Sequence, residues 1–366
     1  MKIKFLDLSN QHKKIEKKII KKIRSVSLKS EFILSNEVKS FEKEFSKYCN
    51  AQYCIGVASG LDALILILRS LNIKNGDEVI VPSNTFIATW LAVSHVGATP
   101  IPVEPDEITY NINISSIEKV ITKKTKAVIA VHLYGQPCDM KLLKKIKNKY
   151  AIKLIEDAAQ AHGAKHEGNF VGSFSDAAAF SFYPGKNLGA FGDAGAVITN
   201  NKKIYSKINQ LRNYGSVKKY YYDALGYNSR LDEIQASILS IKLKYLDYWN
   251  AHRRKIANYY LKNIDSSKIV LPLVPDSVEH VWHLFIIRLK KRNFLKNELL
   301  KNGVETGLHY PVPPHKQKIY VDKYKNYDLS LTENLSKEIL SLPIGPELSL
   351  EKAKVIVDII NKIMKY

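Results

Sequence analysis

Ser181-Phe182-Tyr183-Pro184-Gly185-Lys186-Asn187-Leu188-Gly189 follows a run of small residues and leads into the glycine-rich Gly189-Ala190-Phe191-Gly192-Asp193-Ala194-Gly195. A surface lysine needs no backbone constraint, yet Lys186 sits in a tight, Gly-flanked turn between two apolar segments. That placement predicts a lysine with a chemical role. Upstream, Ala151-Ile152-Lys153-Leu154-Ile155 reads as a short buried strand, with Glu156-Asp157-Ala158-Ala159-Gln160-Ala161-His162-Gly163 at its carboxyl end.

Together the two stretches point to pyridoxal 5'-phosphate (PLP). The cofactor is an electron sink only while its ring nitrogen stays protonated, and a buried carboxylate is the group that keeps the proton there. Asp157 is the candidate for that carboxylate, and Lys186, 29 residues on, is the candidate for the Schiff base.

These two motifs, with Gly226-Tyr227-Asn228-Ser229-Arg230-Leu231-Asp232, closely resemble the sugar-nucleotide aminotransferases of the DegT/DnrJ/EryC1/StrS family, from about Phe5 to the C-terminal helix. Ser59-Gly60-Leu61-Asp62-Ala63-Leu64 and His309-Tyr310-Pro311-Val312-Pro313-Pro314-His315 look like the branch that aminates C3 of a dTDP-linked 3-keto-6-deoxyhexose. The resemblance implies a type I PLP-dependent transferase fold (aspartate aminotransferase-like). It further implies L-glutamate as amino donor and a homodimer in which Asn228 reaches the phosphate of the partner subunit's PLP. Phe86 matches the ring that stacks on the pyridine, Gln160 a donor to the phenolic oxygen, and Ser181 a phosphate contact. Tyr183 and His309 would face the sugar.

Ser59, Gly60 and Leu61 open an apolar helix after the strand Cys54–Ala58. Free amides at a helix start bind anions, so they are phosphate candidates, although Ser-Gly before a helix more often serves only as a cap. The family carries a polar-Gly-Thr pattern here, so Leu61 leaves only backbone donation. Alternation continues through strands 78–82, 100–103 and 127–132, with helices near 86–96 and 114–122. The implied fold class is α/β, with a mixed, mostly parallel sheet covered on both faces. Ligands in such sheets sit beyond the carboxyl ends of the strands, where the Ser59 turn, Phe86, Asp157 and Ser181 all fall.

The large domain is expected over 1–244, including basic N-terminal helices at 10–27 and 37–48, and a smaller α+β domain over 245–366. The latter would hold the end of one long helix running to about Asn263, a strand 281–289, and helices near 292–302 and 350–365. Arg230 and Asp232 read as an ion pair or cap, and His162 as a hydrogen-bonded structural histidine.

Composition excludes several classes. The formal charge is +21, but only eight of the 56 basic residues are arginine and the lysines spread over helix faces, so no nucleic-acid partner is expected. The Lys218–Tyr222 stretch reads as a lid over a nucleotide-sugar. Cys49, Cys54 and Cys138 show no metal spacing and fit a reducing cytoplasm. No stretch approaches the roughly 18 apolar residues of a membrane span. His309 and His315 lack the further ligands a metal would need. Four rival readings arise. A sugar dehydratase of this fold carries histidine in place of the Schiff-base lysine. An amino-acid transaminase needs an arginine fork, and Arg288 and Arg292 form no recognisable clamp. A C4-specific aminotransferase or a non-catalytic PLP-binding regulator stays open.

Overall fold

The computed structural model describes residues 2–365. Three helices open it: α1 (Ser9–Lys13), α2 (Glu16–Lys29) and α3 (Asn36–Tyr48). The single helix expected over 10–27 is split, because Ile15 leaves helical geometry and turns inward to pack with Ile19, Ile238 and Trp249. Helix α3 buries Val38, Phe41 and Phe45, as their spacing predicts. Its first amides are satisfied from a distance: the Glu233 carboxylate accepts from the backbone N–H of Ser35, Glu37 and Val38.

Strands and helices then alternate: β1 (Tyr53–Val57), α4 (Gly60–Ser70), β2 (Glu78–Pro82), α5 (Ile87–His95), β3 (Thr99–Val103), α6 (Ile114–Ile117), β4 (Thr125–Val131), α7 (Met140–Tyr150) and β5 (Lys153–Asp157). The helix expected over 114–122 is one α-turn followed by a 3-10 turn. Helix α7 was not anticipated, though Asp139 caps it in the usual way, its Oδ1 accepting from Leu142 N at 2.9 Å. A short hairpin, β6 (Lys165–His166) and β7 (Asn169–Phe170), precedes β8 (Ala177–Ser181) and β9 (Gly195–Thr199).

The main sheet has seven strands in the order β1-β9-β8-β5-β4-β2-β3, and β9 alone runs antiparallel to its neighbours. Ala63 to Leu68 of α4 are all buried, so this helix is apolar around its circumference and lies between the sheet and α5. The small side chains of β8 leave room on the other side for aromatic packing. There Phe41 and Phe45 meet Phe180 and Phe182 edge-to-face, with centroids 5.0–5.4 Å apart.

Helix α8 (Lys202–Leu211) and an exposed ribbon, β10 (Ser216–Lys218) with β11 (Tyr221–Tyr222), lead to α9 (Glu233–Leu243) and α10 (Leu246–Asn263). The one long helix expected to Asn263 is therefore two helices. Tyr245 N turns back to Lys242 O, which lets α9 bury Lys242 near Gly189 while Tyr245 stacks on Trp249. The C-terminal body comprises β12 (Val278–Glu279), β13 (Phe285–Arg288), α11 (Arg292–Lys301), α12 (Val321–Tyr324), α13 (Ser330–Glu338), β14 (Ile339–Leu342) and α14 (Leu350–Met364). The strand expected over 281–289 shrinks to β13, because Trp282 adopts φ 49° and Val281 and Leu284 donate instead to Gly135 and Tyr134.

The 244/245 division falls in the break between α9 and α10, and a separate apolar cluster of Ile256, Phe285, Leu295, Leu340 and Ile356 lies beyond it. Several stretches cross that line, β12 among them, which pairs with β6. Ile3 bridges to Val304 inside the C-terminal body, whereas Tyr320, Tyr324 and Leu335 pack into the main core, both tyrosines edge-on to Trp90.

Candidate active site

The carboxyl ends of β1, β2, β5 and β8 open onto one cavity of about 520 Å³. Ser59, Gly60, Leu61, Phe86, Asp157, Gln160, Ser181, Tyr183, Lys186 and His309 all line it. Asn228 does not; it is exposed on the loop before α9, where it bridges to Asn213.

One end of the cavity is a helix N-terminus. Ser59 is the N-cap of α4, its Oγ accepting from Asp62 N at 3.1 Å, so its hydroxyl serves the helix while the amides of Gly60 and Leu61 stay free of helical partners. A Cβ on Gly60 would lie 2.6 Å from Ser181 Cβ. Only glycine lets the helix start and Ser181 share this corner, which brings amides and a hydroxyl together around a would-be anion.

The floor is Asp157, at the end of β5. Its Oδ2 accepts from Thr89 Oγ1 at 2.9 Å and its Oδ1 from Ala159 N at 3.2 Å. Burial raises its pKa, and those two hydrogen bonds and the Lys186 charge pull the other way. Lys186 is pushed down to about 8 by burial, with Asp157 opposing. A lysine so depressed is still mainly protonated at about pH 7, but it keeps a far larger share of reactive neutral amine than an ordinary lysine does.

Above the floor, Phe86 stands 49% exposed in the cavity with its centroid 5.2 Å from that of Tyr310. Gln160 is fixed at both ends, Oε1 accepting from Tyr134 N and Nε2 donating to the Tyr310 hydroxyl at 3.0 Å. One Nε2 hydrogen remains for a ligand. His309 shares a hydrogen with Ser341 Oγ through Nδ1 at 2.7 Å, and burial drops its pKa to about 4.

Two expectations need correction. The buried His162 ring packs on Phe180 and Phe182, and neither of its nitrogens has a hydrogen-bond partner among the described residues. Apolar surroundings hold it neutral instead. Arg230 pairs with Asn213 Oδ1 and lies over the Tyr214 ring rather than facing Asp232, which sits at the N-cap of α9 without a side-chain cap bond. Sequence reasoning also missed Thr89, Tyr310, His283 and Arg253. Tyr310 stood in a stretch quoted above and Thr89 in the helix expected near 86–96, whereas His283 and Arg253 enter from elements whose geometry no local pattern announces.

A buried carboxylate, a depressed lysine, an exposed aromatic face and a helix N-terminus are the donor set PLP requires for its ring nitrogen, aldehyde, ring face and phosphate. Among the described residues no helix is long and apolar enough to cross a membrane. The chain is 52% identical over 360 residues to dTDP-3-amino-3,6-dideoxy-alpha-D-galactopyranose transaminase of Aneurinibacillus thermoaerophilus, covering 98% of this chain and 99% of that one. The structure of S. venezuelae DesV in complex with a ketimine intermediate superposes with a TM-score of 0.97 at 43% identity, covering 99% and 98% of the two chains. That of NtdA from Bacillus subtilis with bound cofactor PMP does so with a TM-score of 0.93 at 33% identity, covering 100% and 86%. The family model matches residues 13–361, and the chain belongs to the PLP-dependent DegT/DnrJ/EryC1/StrS aminotransferase family.

Proposed function

We propose that this aminotransferase moves the amino group of L-glutamate to C3 of a dTDP-3-keto-6-deoxyhexose, giving a dTDP-3-amino-3,6-dideoxyhexose for polysaccharide synthesis. It would work as a cytoplasmic homodimer. The observation that carries the reading is the meeting of Asp157 and Lys186 in one cavity, and the 52% identity to a dTDP-3-amino-3,6-dideoxy-alpha-D-galactopyranose transaminase supports the choice of sugar.

PLP, when bound, supplies the electron sink that stabilises negative charge at the reacting carbon. Asp157, held by Thr89 and Ala159, keeps the proton on the ring nitrogen. Lys186 is the covalent anchor and, once freed, carries the proton to and from the substrate carbon, a task its lowered pKa suits. The amides of Gly60 and Leu61 and the Ser181 hydroxyl hold the phosphate, joined by Asn228 of the neighbouring copy. Phe86 covers one ring face, and Gln160 donates to the phenolic oxygen. Tyr183, 59% exposed, and His309 meet the sugar.

Incubation with glutamate and a panel of dTDP-3-keto- and dTDP-4-keto-6-deoxyhexoses, read by mass and NMR, tests this. A 3-amino product is expected. Exclusive 4-amino product would overturn the regiochemistry, and failure to convert PLP to pyridoxamine phosphate with glutamate would favour a regulatory role.

A further inference from the structure

A chain of directed hydrogen bonds runs under Lys186 and ends at a histidine that the mechanism above does not use. Asn250 Nδ2 donates to the carbonyl of His162 at 2.8 Å. Asn187 Nδ2 donates to Asn250 Oδ1 and to the carbonyl of Val281, both at 2.9 Å. Because the two backbone carbonyls can only accept, neither amide can be turned over without setting oxygen against oxygen. Asn187 Oδ1 therefore faces His283 Nδ1 at 3.2 Å, and the hydrogen between them belongs to the imidazole. A neutral ring carries one N–H, so Nε2 keeps its lone pair. The ring stays neutral, through burial first and then the nearby Lys186, Arg253, His309 and His162. His283 lines the same cavity as Lys186, to which Asn187 is the chain neighbour.

We infer that His283 Nε2 is a built hydrogen-bond acceptor for a sugar hydroxyl on a carbon adjacent to the reacting carbonyl. The inference rests on the keto-sugar reading. Its chemistry is selective: a fixed lone pair welcomes an O–H and repels groups that only accept, such as a second carbonyl or the carboxylates of glutamate. His283 thus belongs to the sugar half-reaction, and a sugar lacking the donor leaves the acceptor buried and unpaired.

The test separates the two half-reactions of the holoenzyme by single-turnover absorbance. The sugars are dTDP-3-keto-6-deoxyhexose and its 2-deoxy and 4-deoxy forms. In wild type, one of the two deoxy forms reacts on the order of 10- to 100-fold more slowly than the parent. His283→Phe loses a similar factor with the parent sugar but less than about threefold with that deoxy form, and its glutamate half-reaction stays within about threefold. His283→Gln, whose amide oxygen can accept, recovers part of the loss. Equal wild-type rates with all three sugars would overturn the inference whether or not the variants fold. So would an equal fall in both half-reactions, which would place His283 behind Lys186 instead. A wild-type enzyme that converts PLP with glutamate but aminates no keto-sugar overturns the underlying reading and this inference with it.

Discussion

Among the described residues, loss of water contact pushes two lysines down to about 8, Lys186 and Lys242, yet the regions around them have little else in common. Lys242, on α9, is 1% exposed, donates to the Gly189 carbonyl and lies 5.6 Å from the Phe191 ring centroid. Among the described residues no carboxylate forms a salt bridge with it, and it does not line the cavity that Lys186 faces. Lys186 feels the charge of Asp157 and faces a cavity wide enough for a cofactor. A depressed pKa alone reports desolvation. The accompanying acid and the open space turn it into a site.

The largest effect that sharpens this contrast is loss of the amine itself. Lys186→Ala should lower turnover on the order of 10⁴-fold or more and abolish the Schiff-base absorbance of the purified enzyme. Lys242→Met should keep that absorbance, and its loss would break the distinction. Next, Asp157→Asn cannot hold the ring proton, and its turnover should fall on the order of 10²- to 10³-fold with the cofactor still bound, read by steady-state kinetics and absorbance. Thr89→Val removes one hydrogen bond that lowers the Asp157 pKa. Its acidic activity limb should therefore move to higher pH, with a loss of roughly tenfold at the optimum.

The smallest effect is on the stability of the apoprotein. Each buried lysine binds its proton more weakly in the folded chain, about 8, than in the unfolded chain at 10.5. Between those values the unfolded chain holds more protons, so stability rises with pH, and at pH 7 the buried charge is a net cost. Lys186→Met should therefore melt at a higher temperature than wild type at pH 7, with the gap closing toward pH 10. Lys242→Met should gain less, because the Gly189 carbonyl loses its donor.

Much of the sheet was legible because its strands are short, wholly apolar and punctuated, and Asp157 and Lys186 stood out as polar residues where such strands end. The rest was hidden for physical reasons. The break at Lys244–Tyr245 reflects what each helix packs against, and both halves keep good helical residues across it. Trp282, at φ 49°, ends an alternating pattern that reads locally as a strand. Helix α7 could have been found from Asp139 and the spacing of Leu143 and Ile146. Thr89 is three positions beyond Phe86, but its role exists only once β5 lies beside α5. Arg253 and His283 line the cavity from α10 and from the segment before β13, elements with no motif of their own.

Ile3 donates to Gly303 O and accepts from Glu305 N, a stitch across 300 residues, and the adjoining Phe5 and Leu6 form part of the cavity wall. On the ribosome the backbone partners of Ile3 are missing until position 305 has been made, roughly 15–60 s after position 3 at ordinary elongation rates. A nascent chain can lay down its sheet and seat Lys186 well before then, so cofactor capture and substrate shielding become possible at separate moments of synthesis.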